Sequence, residues 1–294
     1  MEQMLIMDRL GDSMDKIYEI GIYEKAMPKG LTWREKFKIA KKNKFDYIEM
    51  SIDETEDKLL RLDMSQEERL NIIEDMYKEN IKIRSICLSA HRKYPLGSKN
   101  KIIRDKSLEI MKKAIELADD LGIRIIQLAG YDVYYEDGDL ETKELFKKNL
   151  KISVEMASKK GIILAFETME TEFMNTVSKS MVYVNEFKNP YLQIYPDCGN
   201  LTNAAKLYGS CVLDDLEVGK GHIVAMHLKE TVIGKFREIE FGTGHVEFEK
   251  VIEKALDLGI RRFVLEFWCT DESRYEEDIE KSKKFIDDKF KAII

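Results

Sequence analysis

One alternation runs the length of this chain and limits its folds more than any other feature. Short β-rich apolar runs recur, separated by longer charged segments with apolar residues at three- and four-residue spacing. The runs are Ile20–Tyr23, Tyr47–Ser51, Arg84–Leu88, Ile123–Leu128, Ile162–Phe166, Leu192–Tyr195, Ile223–Leu228 and Phe263–Phe267. Such alternation builds a parallel sheet from βα units, and eight units favour closure into a single (β/α)8 barrel of the α/β class. Outer helices are expected at Leu60–Asn80, Asp105–Leu121, Thr142–Lys160 and Glu247–Leu258. Gly122, Gly161 and Gly259 each stand where a helix must stop just before the next strand. The 294 residues suit one barrel or two ordinary domains. No linker-like segment or shift in composition divides them, so one domain over 1–294 is expected. A short N-terminal extension, about residues 1–17, reads as a helix beneath the barrel.

Charge and cysteine usage narrow the partners. With 48 basic against 55 acidic residues, the net charge is −7, which disfavours nucleic acid. Four scattered cysteines without a CxxC pair, and no signal-like apolar segment at the N-terminus, fit a reduced cytoplasmic protein. No apolar run approaches the length of a membrane-spanning helix.

Active sites of (β/α)8 barrels lie at the carboxyl ends of the strands. Four successive runs end in an ionisable residue there: "IILAFE" at Glu167, "LQIYPD" at Asp197, "IVAMH" at His227 and "RFVLE" at Glu266. Their spacings of 30, 30 and 39 residues each correspond to one βα unit. Any one of them alone can be satisfied by a helix N-terminus or a nearby lysine. Three carboxylates turned on one another stay ionised only beside a concentrated positive charge. A divalent cation supplies it; one imidazole with three carboxylates suits zinc or manganese, with cobalt and magnesium also admissible. His222, opening the seventh run, is expected at the opposite, structural end.

Longer stretches then carry a resemblance. "GIYEKAMP" from Gly21, "YIEMSIDET" around Met50, "CLSAHRKYPLGS" from Cys87, "IQLAGYDVYY" from Ile126, "YPDCGNL" around Asp197 and "GHIVAMHLKET" around His227 resemble the L-ribulose-5-phosphate (L-xylulose-5-phosphate) 3-epimerases of ascorbate utilisation, within the xylose-isomerase-like barrels. The resemblance implies that Glu167, Asp197, His227 and Glu266 hold one metal ion, Zn2+ or Mn2+, and that Glu167 and Glu266 are also the acid–base pair. The implied reaction inverts C3 of a phosphorylated pentulose through a cis-enediolate, which requires groups on opposite faces of the carbon. A homodimer is one assembly left open.

Substrate contacts are sought at the same rim. His91, Arg92 and Lys93 follow the third run, Glu24 and Lys25 the first; Glu49, Ser51 and Gln127 close the second and fourth. Asn200 occupies a position where ketose 3-epimerases acting on free sugars use histidine, so its role stays open. Lys229 and Lys235 are alternative phosphate partners. The glycines of "FGTGHVEF" read chiefly as a helix-entry turn, and Phe267 with Trp268 as a pocket wall or barrel filler. Rival readings are another ketose 3-epimerase, an aldose–ketose isomerase, a metal-dependent endonuclease and a silent sugar-binding barrel. The acidic balance and four histidines count against the endonuclease, and the complete quartet against the silent barrel.

Overall fold

A computed structural model describes residues 17–294. The N-terminal extension read at about 1–17 falls almost wholly outside the described residues.

The strands are β1 (Glu19–Tyr23), β2 (Tyr47–Ile52), β3 (Lys82–Leu88), β4 (Ile125–Ala129), β5 (Ile163–Glu167), β6 (Leu192–Ile194), β7 (Met226–Leu228) and β8 (Arg262–Leu265). The helices are α1 (Trp33–Lys42), α2 (Glu56–Leu60), α3 (Gln66–Glu79), α4 (Lys101–Asp120), α5 (Leu140–Ser158), α6 (Val177–Phe187), α7 (Cys198–Tyr208), α8 (Val212–Val218), α9 (Phe248–Asp257) and α10 (Tyr275–Ile293). The strands pair in parallel in the order β6-β5-β4-β3-β2-β1-β8-β7. Two isolated bridges, Ile194 with Ile223 and Asp197 with His227, join the outer strands and complete the ring. The expected α/β barrel is present.

Helix ends follow local chemistry. Gly122, Gly161 and Gly259 have φ of 72°, 66° and 84°, the left-handed geometry that stops a helix. The helix expected over Leu60–Asn80 is instead broken by a 3-10 turn at Arg61–Asp63. Ser65 then opens α3 with a reciprocal capping box to Glu68, satisfying donors that a continuous helix would not leave free. The seventh run is also shorter than expected, because Ile223 makes only a single bridge before β7 begins at Met226.

Two buried layers hold the barrel. The larger lies between strands and helices; the smaller fills the lumen with Tyr23, Tyr47, Cys87, Ile125, Ala165, Tyr195, Ala225 and Val264. The Tyr47 hydroxyl donates to the Phe263 carbonyl at 2.9 Å, so its ring crosses toward β8. That ring passes so close to Gly21 that any Cβ there would overlap it. Pairing of β2 with β3 shifts register between Ile48 and Glu49, and the bulge sets Glu49 opposite Ser85 rather than Arg84.

Candidate active site

The four strand-end residues meet. Glu167, Asp197, His227 and Glu266 each offer one ligand atom, and these atoms all lie within 4.8 Å of one another, buried. Asp197 divides its carboxylate: Oδ1 caps α7 by accepting the Asn200 N–H at 2.7 Å, and Oδ2 turns to the cluster. His227 Nδ1 lies 3.2 Å from Glu167 Oε1, 3.2 Å from Glu266 Oε2 and 3.9 Å from Asp197 Oδ2. Its Nε2 lies 2.6 Å from Glu49 Oε1, and Glu49 accepts the Ser85 hydroxyl at 2.6 Å through its other oxygen. A carboxylate on Nε2 leaves Nδ1 turned to the cluster and free to bind a cation, the arrangement by which outer carboxylates orient histidine ligands. Gln127 donates to Glu167 Oε2 and holds that side chain from β4.

The residues fit a divalent cation. Asp197 Oδ2 and Glu266 Oε2 are buried and accept no hydrogen bond of normal geometry. The Lys229 ammonium is 3.0 Å and 3.3 Å from those oxygens. Even counting Lys229 and a protonated His227, four carboxylates including Glu49 outnumber the cations, so the cluster has room for further positive charge. Protonation reflects this imbalance. Burial, then the charge of Glu266, raises the Glu167 carboxyl. Burial also pushes Asp197 well above the carboxylate range against the pull of Lys229, with Glu266 adding to the rise. Glu266 goes the other way: burial opposes its charge, but Lys229 and His227 hold it well below the usual range. Burial would lower His227, yet Glu49 and Glu266 hold it well above.

A cavity opens above the cluster. Of the quartet, Glu167 and Glu266 line it, whereas Asp197 and His227 lie beneath. Tyr23, Cys87 and Trp268 form part of its wall, and Arg92, Lys25, Asn200 and Lys229 also reach it. Asn200 donates from Nδ2 to the Thr168 carbonyl at 2.7 Å, while its buried Oδ1 accepts nothing. Lys25 is tied to Asp53.

Two expected contacts point elsewhere. Glu24 follows lumen-facing Tyr23 and so turns outward, where Lys36 (2.9 Å), Lys58 (2.5 Å) and Arg61 (2.7 Å) enclose it. Burial would raise its carboxyl, but Arg61 and then Lys58 and Lys36 hold it far below the usual range. His91 is buried against α4, with Nε2 3.2 Å from the Ser107 carbonyl, and does not line the cavity. Lys93 and Lys235 are exposed. The "FGTGHVEF" turn spends its donors internally: Gly242 and Val246 N–H groups bind Glu230 at 3.0 Å and 3.1 Å. His222 pairs with Gln193 at 3.0 Å, away from the cavity. Sequence reasoning missed Glu170, Phe236 and Arg237, which line the cavity from loops without periodic pattern. It also placed Glu49 at the substrate rather than behind His227.

Comparison with known proteins bears on this geometry. The chain is 43% identical over 274 residues to the L-ribulose-5-phosphate 3-epimerase UlaE of Escherichia coli O1:K1, an overlap of 93% of this chain and 95% of the relative. The same figures hold for the UlaE of Escherichia fergusonii. Its fold matches a D-tagatose 3-epimerase-like protein (TM-score 0.76, 17% identity, 94% and 98% of the two chains). It also matches an L-ribulose 3-epimerase (TM-score 0.71, 16% identity, 94% and 95%). The relationship to UlaE supports sugar epimerisation and makes the chain an enzyme of the isomerase class, and the structural matches show the shared fold. No helix among the described residues is long and apolar enough to cross a membrane. Residues 37–288 match the xylose isomerase-like TIM barrel family, and the chain belongs to it, alongside the L-ribulose-5-phosphate 3-epimerases.

Proposed function

We propose that this enzyme interconverts L-ribulose 5-phosphate and L-xylulose 5-phosphate by inverting C3, with Glu167 and Glu266 as its two proton-transferring groups. The observation that carries this reading is that, within a quartet suited to a metal, these two glutamates alone face the cavity. They arise from β5 and from the end of β8, three strands apart around the ring, so they approach a bound sugar from different sides. Inversion needs that separation: one carboxylate removes the C3 proton and the other returns a proton to the opposite face of the enediolate.

Glu167, Asp197, His227 and Glu266 would hold one divalent cation, zinc or manganese in preference to cobalt or magnesium, which when bound supplies Lewis-acid charge beside the sugar oxygens. Gln127 fixes the orientation of Glu167. Lys229 sets its ammonium beside Glu266 and offers a donor to a developing oxyanion. Tyr23 and Trp268, packed edge to face with centroids 6.2 Å apart, wall off water on one side. Asn200 Oδ1 is available to a sugar hydroxyl.

Incubation of the metal-loaded enzyme with L-xylulose 5-phosphate in heavy water tests the reading. Deuterium at C3 of recovered substrate and product is expected. Label confined to C1 would mean an aldose–ketose isomerase instead, and absence of label would reject both.

A further inference from the structure

Lys229 brings its ammonium to 3.0 Å from Asp197 Oδ2 and 3.3 Å from Glu266 Oε2, the two quartet oxygens that accept no hydrogen bond of normal geometry. A lysine stem is flexible, and the attraction falls as the charges separate and water enters between them. Holding the ammonium there therefore depends on what holds the backbone at the exit of β7.

The residue after Lys229 turns to the other side of the chain. Lys229 lines the cavity, whereas Glu230 is buried behind it, beneath the "FGTGHVEF" turn. The Glu230 carboxylate accepts three backbone N–H groups: Gly242 at 3.0 Å, Val246 at 3.1 Å and Thr231 at 3.1 Å. A Cβ on Gly244 would overlap both that carboxylate and the Thr231 carbonyl, so the turn lies directly on the β7 exit. The His245 N–H donates to the Thr231 carbonyl at 3.0 Å. The Thr231 hydroxyl donates to the Gly199 carbonyl at 3.0 Å and accepts from His245 Nε2 at 2.9 Å. On the far side Gly199, in the first turn of α7, meets the Thr231 methyl and the Lys229 carbonyl with no room for a Cβ. Asp197 caps that same helix. Lys229, Glu230 and Thr231 are thus gripped between a glycine turn and the helix that follows a quartet carboxylate.

We infer that Glu230 is a positioning residue for the reaction: by gathering the N–H groups of the 242–246 turn it fixes the β7 exit and keeps the Lys229 ammonium on Asp197 and Glu266. This rests on the role given to Lys229 and the quartet in the proposed epimerisation. A carboxylate presents acceptors only, matching the N–H groups around it; a glutamine would turn an NH2 group toward one of them and leave buried donors opposed. The turn's glycines serve to bring backbone onto a carboxylate, a use that their spacing alone did not announce.

A double-mutant cycle of Glu230→Gln and Lys229→Met tests this, read by calorimetric titration of the metal-free proteins with Mn2+ and by kcat and KM on L-ribulose 5-phosphate. An ammonium released from the two oxygens no longer opposes a cation. Glu230→Gln should therefore tighten Mn2+ binding by roughly 3- to 30-fold, the range of coupling within one network, and by less than about 2-fold when Lys229 is already methionine. In the parent background kcat should fall by roughly 10-fold or more with KM nearly unmoved, the loss expected when a donor to a developing oxyanion is displaced, and it should fall no further beside Lys229→Met. Mere loss of packing would lower Tm and weaken Mn2+ binding alike in both backgrounds. That outcome, losses in kcat that multiply across the cycle, or an unchanged affinity and turnover in Glu230→Gln, overturns the assignment. Should Glu230→Gln fail to fold, His245→Ala, at the half-buried outer end of the same grip, enters the cycle with effects expected in the same directions. A parent protein that binds Mn2+ but leaves L-ribulose 5-phosphate unepimerised rejects the substrate reading, and the Mn2+ cycle still decides the role of Glu230.

Discussion

Glu49→Gln isolates the part of the site that no substrate touches. In the parent, a fully buried carboxylate sits 2.6 Å from His227 Nε2. Glutamine keeps a carbonyl acceptor of nearly the same shape, so the tautomer that frees Nδ1 survives, while the negative charge behind the imidazole is lost. Charge-assisted hydrogen bonds are about twice as strong as neutral ones, and outer-shell changes of this kind weaken metal binding by roughly 10- to 100-fold. Linkage turns that into stability. Free metal at about 100 times the parent dissociation constant adds about 2.7 kcal/mol, whereas a site about 30-fold weaker gains only about 0.9 kcal/mol at the same concentration. At about 2–4 °C per kcal/mol, the metal-induced rise in Tm should shrink from about 5–11 °C to about 2–4 °C. Titration with Mn2+ by calorimetry and paired melting curves with and without Mn2+ measure both quantities. A Glu49→Gln protein that binds Mn2+ within two-fold of the parent, with the same rise in Tm, would show that the carboxylate behind His227 does not tune the metal.

Glu167→Gln and Glu266→Gln should each abolish epimerisation, a loss of at least about 100-fold for removing a proton-transferring group; near-normal turnover by either protein removes the two-base scheme. His91 makes stability acid-sensitive. Burial pushes its imidazole down to about 4, against a partial lift from the Ser107 carbonyl, so below about 6.5 the unfolded chain takes up a proton that the folded chain refuses. That contribution is full above about pH 6.5 and is lost as pH falls toward 4, about 3 kcal/mol in all. Denaturant melts across this range should show a flatter pH dependence for His91→Asn, and an identical slope would refute the assignment. Gly21→Ala should cost roughly 1–3 kcal/mol through collision with the Tyr47 ring; an unshifted Tm would mean that the ring moves aside freely.

The strands and most helix ends were legible because they obey local rules: alternation between two periods, and glycines at positions that require positive φ. The quartet was legible because four successive runs carry an ionisable residue at or near their carboxyl ends, and those ends converge on one face of a barrel. Glu24 and His91, whose side chains do not line the cavity, show where that signal stops. Standing after a strand fixes the end of the barrel but not the direction of the side chain, and Glu24 follows Tyr23, which had already taken the lumen. The break before α3 was written in Ser65 and Glu68, a capping box overshadowed by apolar spacing that continued through it. Glu170 and Arg237 lie in loops, where no periodicity announces a partner 67 residues away.

The ring of strands is not uniform. Seven junctions are ladders of several residues, whereas β6 and β7 are joined by isolated bridges, one of them between Asp197 and His227. Two of the four proposed ligands therefore face each other across the weakest join of the cylinder. A cation shared by them would be a clasp as well as a reagent, fastening the barrel where its own backbone does so least. Amide exchange at Val224 and His227, whose N–H groups bind the carbonyls of Ile194 and Pro196 at 3.0 Å and 2.9 Å, should then slow on metal binding more than exchange in the β2–β3 ladder. In such a barrel, losing the metal costs chemistry and closure together.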